Sequence, residues 1–439
     1  MTPLLSAAAA FAALMVLLAL RMPIAIAMLL VGMGGFMMTV GLPQLMALLK
    51  AQMFYQFLNY DLSVIAMFML MGNFAMRAGF SESLFRCANA FIGHRRGGIA
   101  MATIGACAGF GAICGSSLAT AATMAQVALP EFRRHGYSGS LATGTLAAGG
   151  TLGILIPPSV ILVICAVVLE ANIETLFQAA MVPGLIAAAG YVVAIAVYVH
   201  FVPDAGPAGS RTAWPERMRT LLRTWPVFLI FVLVVIGIYA GWFTPTQAAS
   251  IGAILCGVWA CIAGMRWDGL VDAIVKTAVA TAMIYLIIFG ASVLNSFLGF
   301  TRLPAQLSEI ITGAALSPML VLSAMLAIFI VLGCIMDSLS MVLLLVPIFW
   351  PILQGLDFGM SQDDLKTWFA ILALMVVEIG MITPPVGLNV FVINAMARDV
   401  PMSQTFRGVL PFLGSDLIRI AALVALPGIT LWLPHLLKT

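Results

Sequence analysis

Two stretches, GGTLGILIPPSVILVI (residues 149–164) and EIGMITPPVGLNVFVI (residues 378–393), decide how this chain reads. Each is an apolar run interrupted by Pro-Pro, with a glycine four residues upstream of the first proline. Proline lacks an N–H and its ring clashes with the preceding turn, so a helix must open at Pro157-Pro158 and again at Pro384-Pro385. In hydrocarbon, open backbone is tolerated only where protein buries it or where it lines a cavity.

The surrounding composition places both breaks in a membrane. Of 439 residues 63% are hydrophobic and 8% are charged, against roughly a quarter charged in a soluble chain. Apolar runs recur throughout, many long enough to cross a hydrocarbon core about 30 Å thick. The fold class is therefore an all-α polytopic membrane protein. A net charge of +3 spread over loops gives no basic surface for nucleic acid. Six of seven cysteines lie inside apolar runs, with no CxxC pair, so neither a disulfide framework nor a cysteine metal pair is expected. The first apolar run has no charged n-region before it and no cleavage site followed by a polar chain, which argues against a cleaved signal peptide. His94, His135, His200 and His435 fall near span ends, and neither HExxH nor GxxxxGK[ST] occurs. Metalloenzyme and nucleotide-driven readings both fail on these grounds.

Breaks in hydropathy give about ten crossings, at residues 3–20, 22–47, 51–78, 140–169, 175–202, 225–242, 247–265, 277–299, 367–396 and 406–436. Stretches 98–133 and 318–353 are twice that length, with a polar interruption in the middle. Basic loops stay cytoplasmic, which places His94–Arg96, Arg133–His135, Arg211–Arg223, Arg398 and Arg407 inside. Acid-rich connections at Glu170–Glu174 and Asp357–Asp364 then lie outside. The count closes only if 98–133 starts and ends inside and 318–353 starts and ends outside. Two full spans would satisfy this as well as a re-entrant hairpin. The turns, Gly115-Ser116-Ser117-Leu118-Ala119-Thr120 and Asp337-Ser338-Leu339-Ser340, carry no Lys or Arg and favour hairpins. An offset near 220 sets Ser117 on Ser338 and Pro130 on Pro351, and amphipathic pieces at 80–93 and 303–315 also correspond. This is an inverted repeat with broken helices, the layout of secondary transporters, whose site lies between the halves.

The residues at that site suit a small hard cation and a carboxylate. Carbonyls released at Gly150, Thr151, Gly153, Gly380 and Thr383, beside Gly115 and Gly387, would supply oxygen ligands to Na⁺. Hydroxyls of Ser116, Ser117, Thr120, Ser338 and Ser340 would complete the shell, and half-helix N-termini would face an anionic substrate. Pro157, Pro158, Pro384, Pro385 and Asn389 line the same breaks. The competing reading is that these small residues allow close helix packing, as Gly105 and Gly109 do. An acid at membrane depth is a functional hypothesis by default. Asp337 either touches the cation or caps the hairpin's second arm; Glu378 is either functional or a structural hydrogen-bond partner. Asp416 and Arg419, at i and i+3, should pair locally. Asn295, Asn389 and Asn394 either line the cavity or bond between helices.

At these residues the chain resembles the large membrane subunit of tripartite ATP-independent periplasmic (TRAP) transporters. The likeness runs nearly end to end, through FGAICGSSLATAA (110–122), PEFRRHGY (130–137), GGTLGILIPPS (149–159), GIYAGWFTPTQAA (237–249), GMITPPVGLNVFVI (380–393) and RGVLPFLGSDLIRIAALVALP (407–427). The resemblance implies sodium-driven uptake of an organic acid such as a C4-dicarboxylate or sugar acid. It implies two partners, a small four-helix membrane subunit and a periplasmic substrate-binding protein, in the bacterial inner membrane. It also implies an elevator motion of hairpins and broken helices against a scaffold. On that scheme residues 1–60 are scaffold and 61–174 the first repeat; 175–276 are scaffold and a cytoplasmic loop, 277–400 the second repeat, and 401–439 a C-terminal helix. Where the family pattern has acids, this chain carries the amides Asn73 and Gln247. A stand-alone sodium/carboxylate symporter of related inverted-repeat fold is the alternative.

Overall fold

A computed structural model describes residues 3–313 and 316–437, and these are helical with no strand among the described residues. Helix ends in an apolar medium need their own partners for orphaned N–H groups, and polar side chains supply them. Ser116, Ser138, Ser159, Asn172, Asp337 and Ser361 each accept a backbone N–H at the start of a helix. Thr244 and Gln247 cap each other's backbone at the start of Pro245–Ile262, so the amide at 247 does the work of the expected acid. Asn73 likewise finds a neutral partner, donating to Thr277 Oγ1 at 2.9 Å.

The repeat is visible as an order of elements. The first half runs Ser63–Arg77, Phe80–Ile92, a hairpin of Gly98–Cys114 and Ser117–Arg134, a broken helix of Gly139–Leu155 and Val160–Leu169, then Ile173–Phe201. The second runs Trp267–Phe300, Leu303–Gly313, a hairpin of Pro318–Gly333 and Ser338–Gln354, a broken helix of Gln362–Gly380 and Leu388–Met396, then Met402–Ala425. The amphipathic pieces expected at 80–93 and 303–315 are thus present, although Ala314 and Ala315 lie outside the described residues. Each half packs onto the other in a reciprocal way. The second arm of each hairpin lies on the outer part of the opposite broken helix, and Ile173–Phe201 and Met402–Ala425 each pack on the opposite broken helix's first part. Such an exchange of partners is what a two-fold relation between halves produces.

Contacts at the two ends agree with the charge reading. At the Arg-rich end Arg133 pairs with Asp399, and Gly97 and Ser138 donate to the carbonyls of Gly206 and Ala205. At the opposite end Lys366 Nζ donates to Glu170 O at 3.2 Å and His435 meets Asp364 at 2.8 Å. The first hairpin begins and finishes beside the former group, as expected from its flanking arginines.

Three boundaries differ from the sequence reading. Residues 22–47 and 51–78 divide at Val40–Gly41 and at Asn59–Leu62 rather than near residue 50. Helices Ile24–Thr39 and Leu42–Leu58 are followed, after a short turn, by Ser63–Arg77, and the last two are bent by 62°. Gly41 (φ 109°) followed by Pro43 in the first turn starts a new helix, and Asn59 caps the turn at Tyr60–Leu62. The described part of the C-terminal reach, residues 401–437, is two helices, Met402–Ala425 and Gly428–Leu437, because Pro427 cannot continue the ladder. Helix Trp267–Phe300 is longer than the expected 277–299, since charged Asp268, Asp272 and Lys276 occupy its outer turns. The expected small-residue packing is also only half met. A Cβ on Gly109 would lie 3.2 Å from Leu84, whereas Gly105 faces open space. Four helices are individually long and apolar enough to cross a membrane, or seven if bent pairs count as one span.

Candidate functional site

The first hairpin and the first broken helix meet through glycine. A Cβ on Gly111 would lie 2.5 Å from Gly153 Cα, and one on Gly150 2.6 Å from Ala121 Cβ. One on Gly153 would fall 2.4 Å from Thr120 Oγ1 and 2.7 Å from Ser116 O. Gly115 turns the hairpin in the left-handed region (φ 64°) against Pro158 O and Val160 N. These contacts set the tip, Gly115 to Thr120, on the break at Pro157-Pro158. Ser116 is used in the turn: its hydroxyl accepts from Ala119 N and its carbonyl from Thr120 N. Ser117 is buried and its hydroxyl reaches Met381 Sδ, 3.7 Å away in the other half. Thr120 Oγ1 is buried with no oxygen or nitrogen partner and only the weakly bonding Cys114 thiol beside it.

The second half repeats the plan with different chemistry. Gly333 and Gly380 approach so closely that a Cβ on Gly380 would lie 2.5 Å from Gly333 Cα. Gly387, in the left-handed region (φ 61°), donates its N–H to Cys334 O at 3.3 Å, tying the break to the hairpin tip. Asn389 closes the break by donating N–H to Met381 O, and its Nδ2 crosses to Ala147 O in the first broken helix at 3.3 Å. Its Oδ1 is buried without a partner. Asp337 behaves as the capping acid, accepting both the N–H and the hydroxyl of Ser340. Ser338 and Ser340 are buried at the start of that arm. Thr383 Oγ1 donates back to Ile379 O. Pro157 and Pro158 are buried, whereas Pro384 and Pro385 are exposed.

The carbonyl inventory is corrected in part. Gly150 and Thr151 sit inside the continuous helix Gly139–Leu155, where their carbonyls face backbone donors one turn on. The carbonyls deprived of a donor are those of Gly153 and Ile154, opposite Pro157 and Pro158. In the second half Gly380 O accepts from Thr383 N at 3.1 Å. Thr383 O has no backbone N–H partner among the described residues. Oxygens without an oxygen or nitrogen partner are therefore Thr120 Oγ1 and the carbonyls of Gly153 and Ile154 at the first break, and Asn389 Oδ1 and the half-buried Thr383 carbonyl at the second. Such groups in a dry interior are costly without a partner, and neutral oxygens of this kind suit a small cation.

The residue that sequence reasoning missed, Tyr191, lies one layer further in, beside acids and a base that it did name. Tyr191 is fully buried; its hydroxyl lies 3.1 Å from Thr151 Oγ1 and donates to Asp416 at 2.8 Å. Asp416 pairs with Arg419 at 2.8 Å, as its spacing suggested, but both are buried rather than peripheral. Glu378 is 1% exposed and neither carboxylate oxygen has a hydrogen bond. Among the other asparagines, Asn394 bonds locally to Val400 O and Asn295 reaches Leu343 O. A separate apolar groove of about 580 Å³ between Leu42–Leu58 and Trp267–Phe300, lined by Met53, Phe57 and Tyr285, does not touch these residues.

Paired hairpins, each set on a broken helix of its own half and packed reciprocally, define an all-helical membrane transporter. The chain belongs to the tripartite ATP-independent periplasmic transporter family, DctM component, whose model matches residues 11–429. It is the large permease of such a system and not an enzyme; members work with a small membrane subunit and a periplasmic binding protein. It is 33% identical over 379 residues to the C4-dicarboxylate TRAP transporter large permease protein DctM of Pseudomonas aeruginosa, covering 86% of this chain and 87% of that one. The sialic acid TRAP transporter large permease protein SiaM of Vibrio cholerae is 29% identical, over 86% of this chain and 87% of its own. The ectoine/5-hydroxyectoine permease UehC of Ruegeria pomeroyi is also 29% identical, over 98% and 99%. Among solved structures, the YdaH transporter of Alcanivorax borkumensis superposes with a TM-score of 0.66 at 14% identity over 89% of each chain. MtrF of Neisseria gonorrhoeae gives 0.57 at 14%, over 91% and 85%. At that identity the likeness is one of fold.

Proposed function

We propose that this chain is the translocating subunit of a sodium-driven importer of an organic acid, lodged in the bacterial inner membrane. A periplasmic binding protein delivers the acid, and a small membrane subunit completes the complex. The observation that carries the reading is the set of poorly partnered neutral oxygens where hairpin tips meet broken helices: Thr120 Oγ1 and donorless carbonyls at the first break, Asn389 Oδ1 at the second. Sodium would draw on these together with the Ser117 hydroxyl. The helix N-termini at Ser117, Val160, Ser338 and Leu388 offer the positive dipole ends that hold a carboxylate. Inward sodium movement supplies about 2.3 kcal/mol per charge at 100 mV, enough to drive accumulation without nucleotide. The two glycine-packed units, each a hairpin fitted to its break, are bodies suited to move as one against the outer helices, an elevator.

A C4-dicarboxylate is the first substrate to test, since two relatives near 30% identity are named for it. Proteoliposomes holding both membrane subunits, with binding protein outside, should take up labelled succinate only with an inward sodium gradient. Uptake without binding protein would favour a stand-alone symporter, and flux indifferent to sodium would remove the coupling. Ser117→Ala should raise the half-saturating sodium concentration about threefold to tenfold, the worth of roughly one ordinary hydrogen bond of about 1 kcal/mol.

A further inference from the structure

The buried polar network around Tyr191 sits on the internal symmetry of the fold. Thr151 and Glu378 each lie six residues before the first proline of their break. Tyr191 and Arg419 each lie eight residues after the helix-interior proline of their own helix, Pro183 and Pro411. Equivalent positions of the two halves thus converge on one spot. There Thr151 Oγ1 lies 3.1 Å from the Tyr191 hydroxyl, which donates to Asp416 at 2.8 Å; Asp416 pairs with Arg419 at 2.8 Å. Arg419 also lies over the Tyr191 ring, 5.9 Å from its centroid. Glu378, on the second broken helix, is buried without a hydrogen bond. Every one of these side chains is at most 5% exposed.

Buried charge is a poor source of stability but a good source of unique register, because every misaligned arrangement leaves a charge unpaired. This network touches the first broken helix through Thr151 and ties it to Ile173–Phe201 and Met402–Ala425, one helix from each half. Thr151 lies between Gly150 and Gly153, the glycines that seat the first hairpin. We propose that Tyr191, Asp416 and Arg419 are positioning residues that pin the first broken helix against Ile173–Phe201 and Met402–Ala425, so that the oxygens around the first break are held for the coupling ion. The inference rests on the sodium reading above and names what holds that site in shape.

Tyr191→Phe removes one oxygen and keeps the ring, so it tests the pin without opening a cavity. In the reconstituted complex it should raise the half-saturating sodium concentration about fivefold, the worth of one buried hydrogen bond, with the apparent KM for delivered substrate unchanged. Thr151→Ser keeps a hydroxyl for Tyr191 and should match the parent. Hydrogen exchange across residues 148–156 should speed up in Tyr191→Phe while residues 339–354 stay as they are. A lowered melting temperature with unaltered sodium dependence, or exchange that rises evenly along the chain, would reduce Tyr191 to a core residue and overturn the proposal. If the parent protein itself ignores sodium, the coupling reading fails, and the local exchange measurement alone still decides whether the pin exists.

Discussion

The two helix breaks share a motif and differ in surroundings. At the first, Pro157 and Pro158 are buried, Ser159 caps the outgoing helix, and the hairpin tip is wedged in place by Gly111, Gly150 and Gly153. At the second, Pro384 and Pro385 are exposed, no side chain caps the helix at Leu388, and Ile335 on the adjacent tip is 52% exposed. Duplication has produced one closed half and one open half. A closed break with unpaired oxygens suits an ion stripped of water; an open one suits a larger solute that must enter and leave.

The contrast can be broken most forcefully at its tightest point. Gly153→Val would place branched carbon 2.4 Å from Thr120 Oγ1 and 2.7 Å from Ser116 O. Overpacking of that kind costs about 1–3 kcal/mol or more, and uptake in the reconstituted system should be abolished. Substantial residual uptake would mean that the first half is looser than described. Next in size is accessibility. With native cysteines replaced, a thiol at Pro385→Cys should react with a water-soluble maleimide while Pro158→Cys stays protected; equal labelling would erase the distinction between halves. Asp337→Ala should lower stability by about 1 kcal/mol through loss of the N-cap, read as a fall in melting temperature. A rise in sodium requirement with no change in melting temperature would instead return Asp337 to the ion site.

The smallest effect is expected where the halves touch at the Arg-rich end. Hydrogen bonding to Arg133 holds the Asp399 carboxyl below the usual carboxylate range. Because the folded value is depressed, the stabilisation is present at neutral pH and fades as pH falls through the folded value. Both side chains are more than half exposed, so Arg133→Ala should change stability by at most about 1 kcal/mol. A larger fall would show that this end is a structural hinge point rather than a solvated pair.

Much of the fold was legible because its causes are local. Gly115 and Ser116 make a turn, Pro157-Pro158 and Pro384-Pro385 break helices, and arginines mark one side, each through chemistry acting over a few residues. The span edges that failed, around Gly41, Asn59 and Pro427, are cases where hydropathy continued while backbone geometry did not. The placement of the candidate residues was legible in outline: Ser117, Thr120 and Gly153 lie at the first break, and Asn389 and Gly387 at the second. The sequence could not tell that Gly150 and Thr151 keep their helical hydrogen bonds, since one proline frees only the carbonyl a turn before it.

By itself, then, the amino-acid order determined an all-helical membrane protein with two inverted, broken-helix halves and no chemistry of bond making. Only the tertiary structure decided that Tyr191 would bond Asp416 across 225 residues, that Asn389 would reach Ala147 in the other half, and that one break would be shut and the other open. Hydropathy and proline act through the nearest turn of the chain. Partners hundreds of residues apart are chosen by which surfaces fit once the helices are formed, and that choice is made by packing between halves.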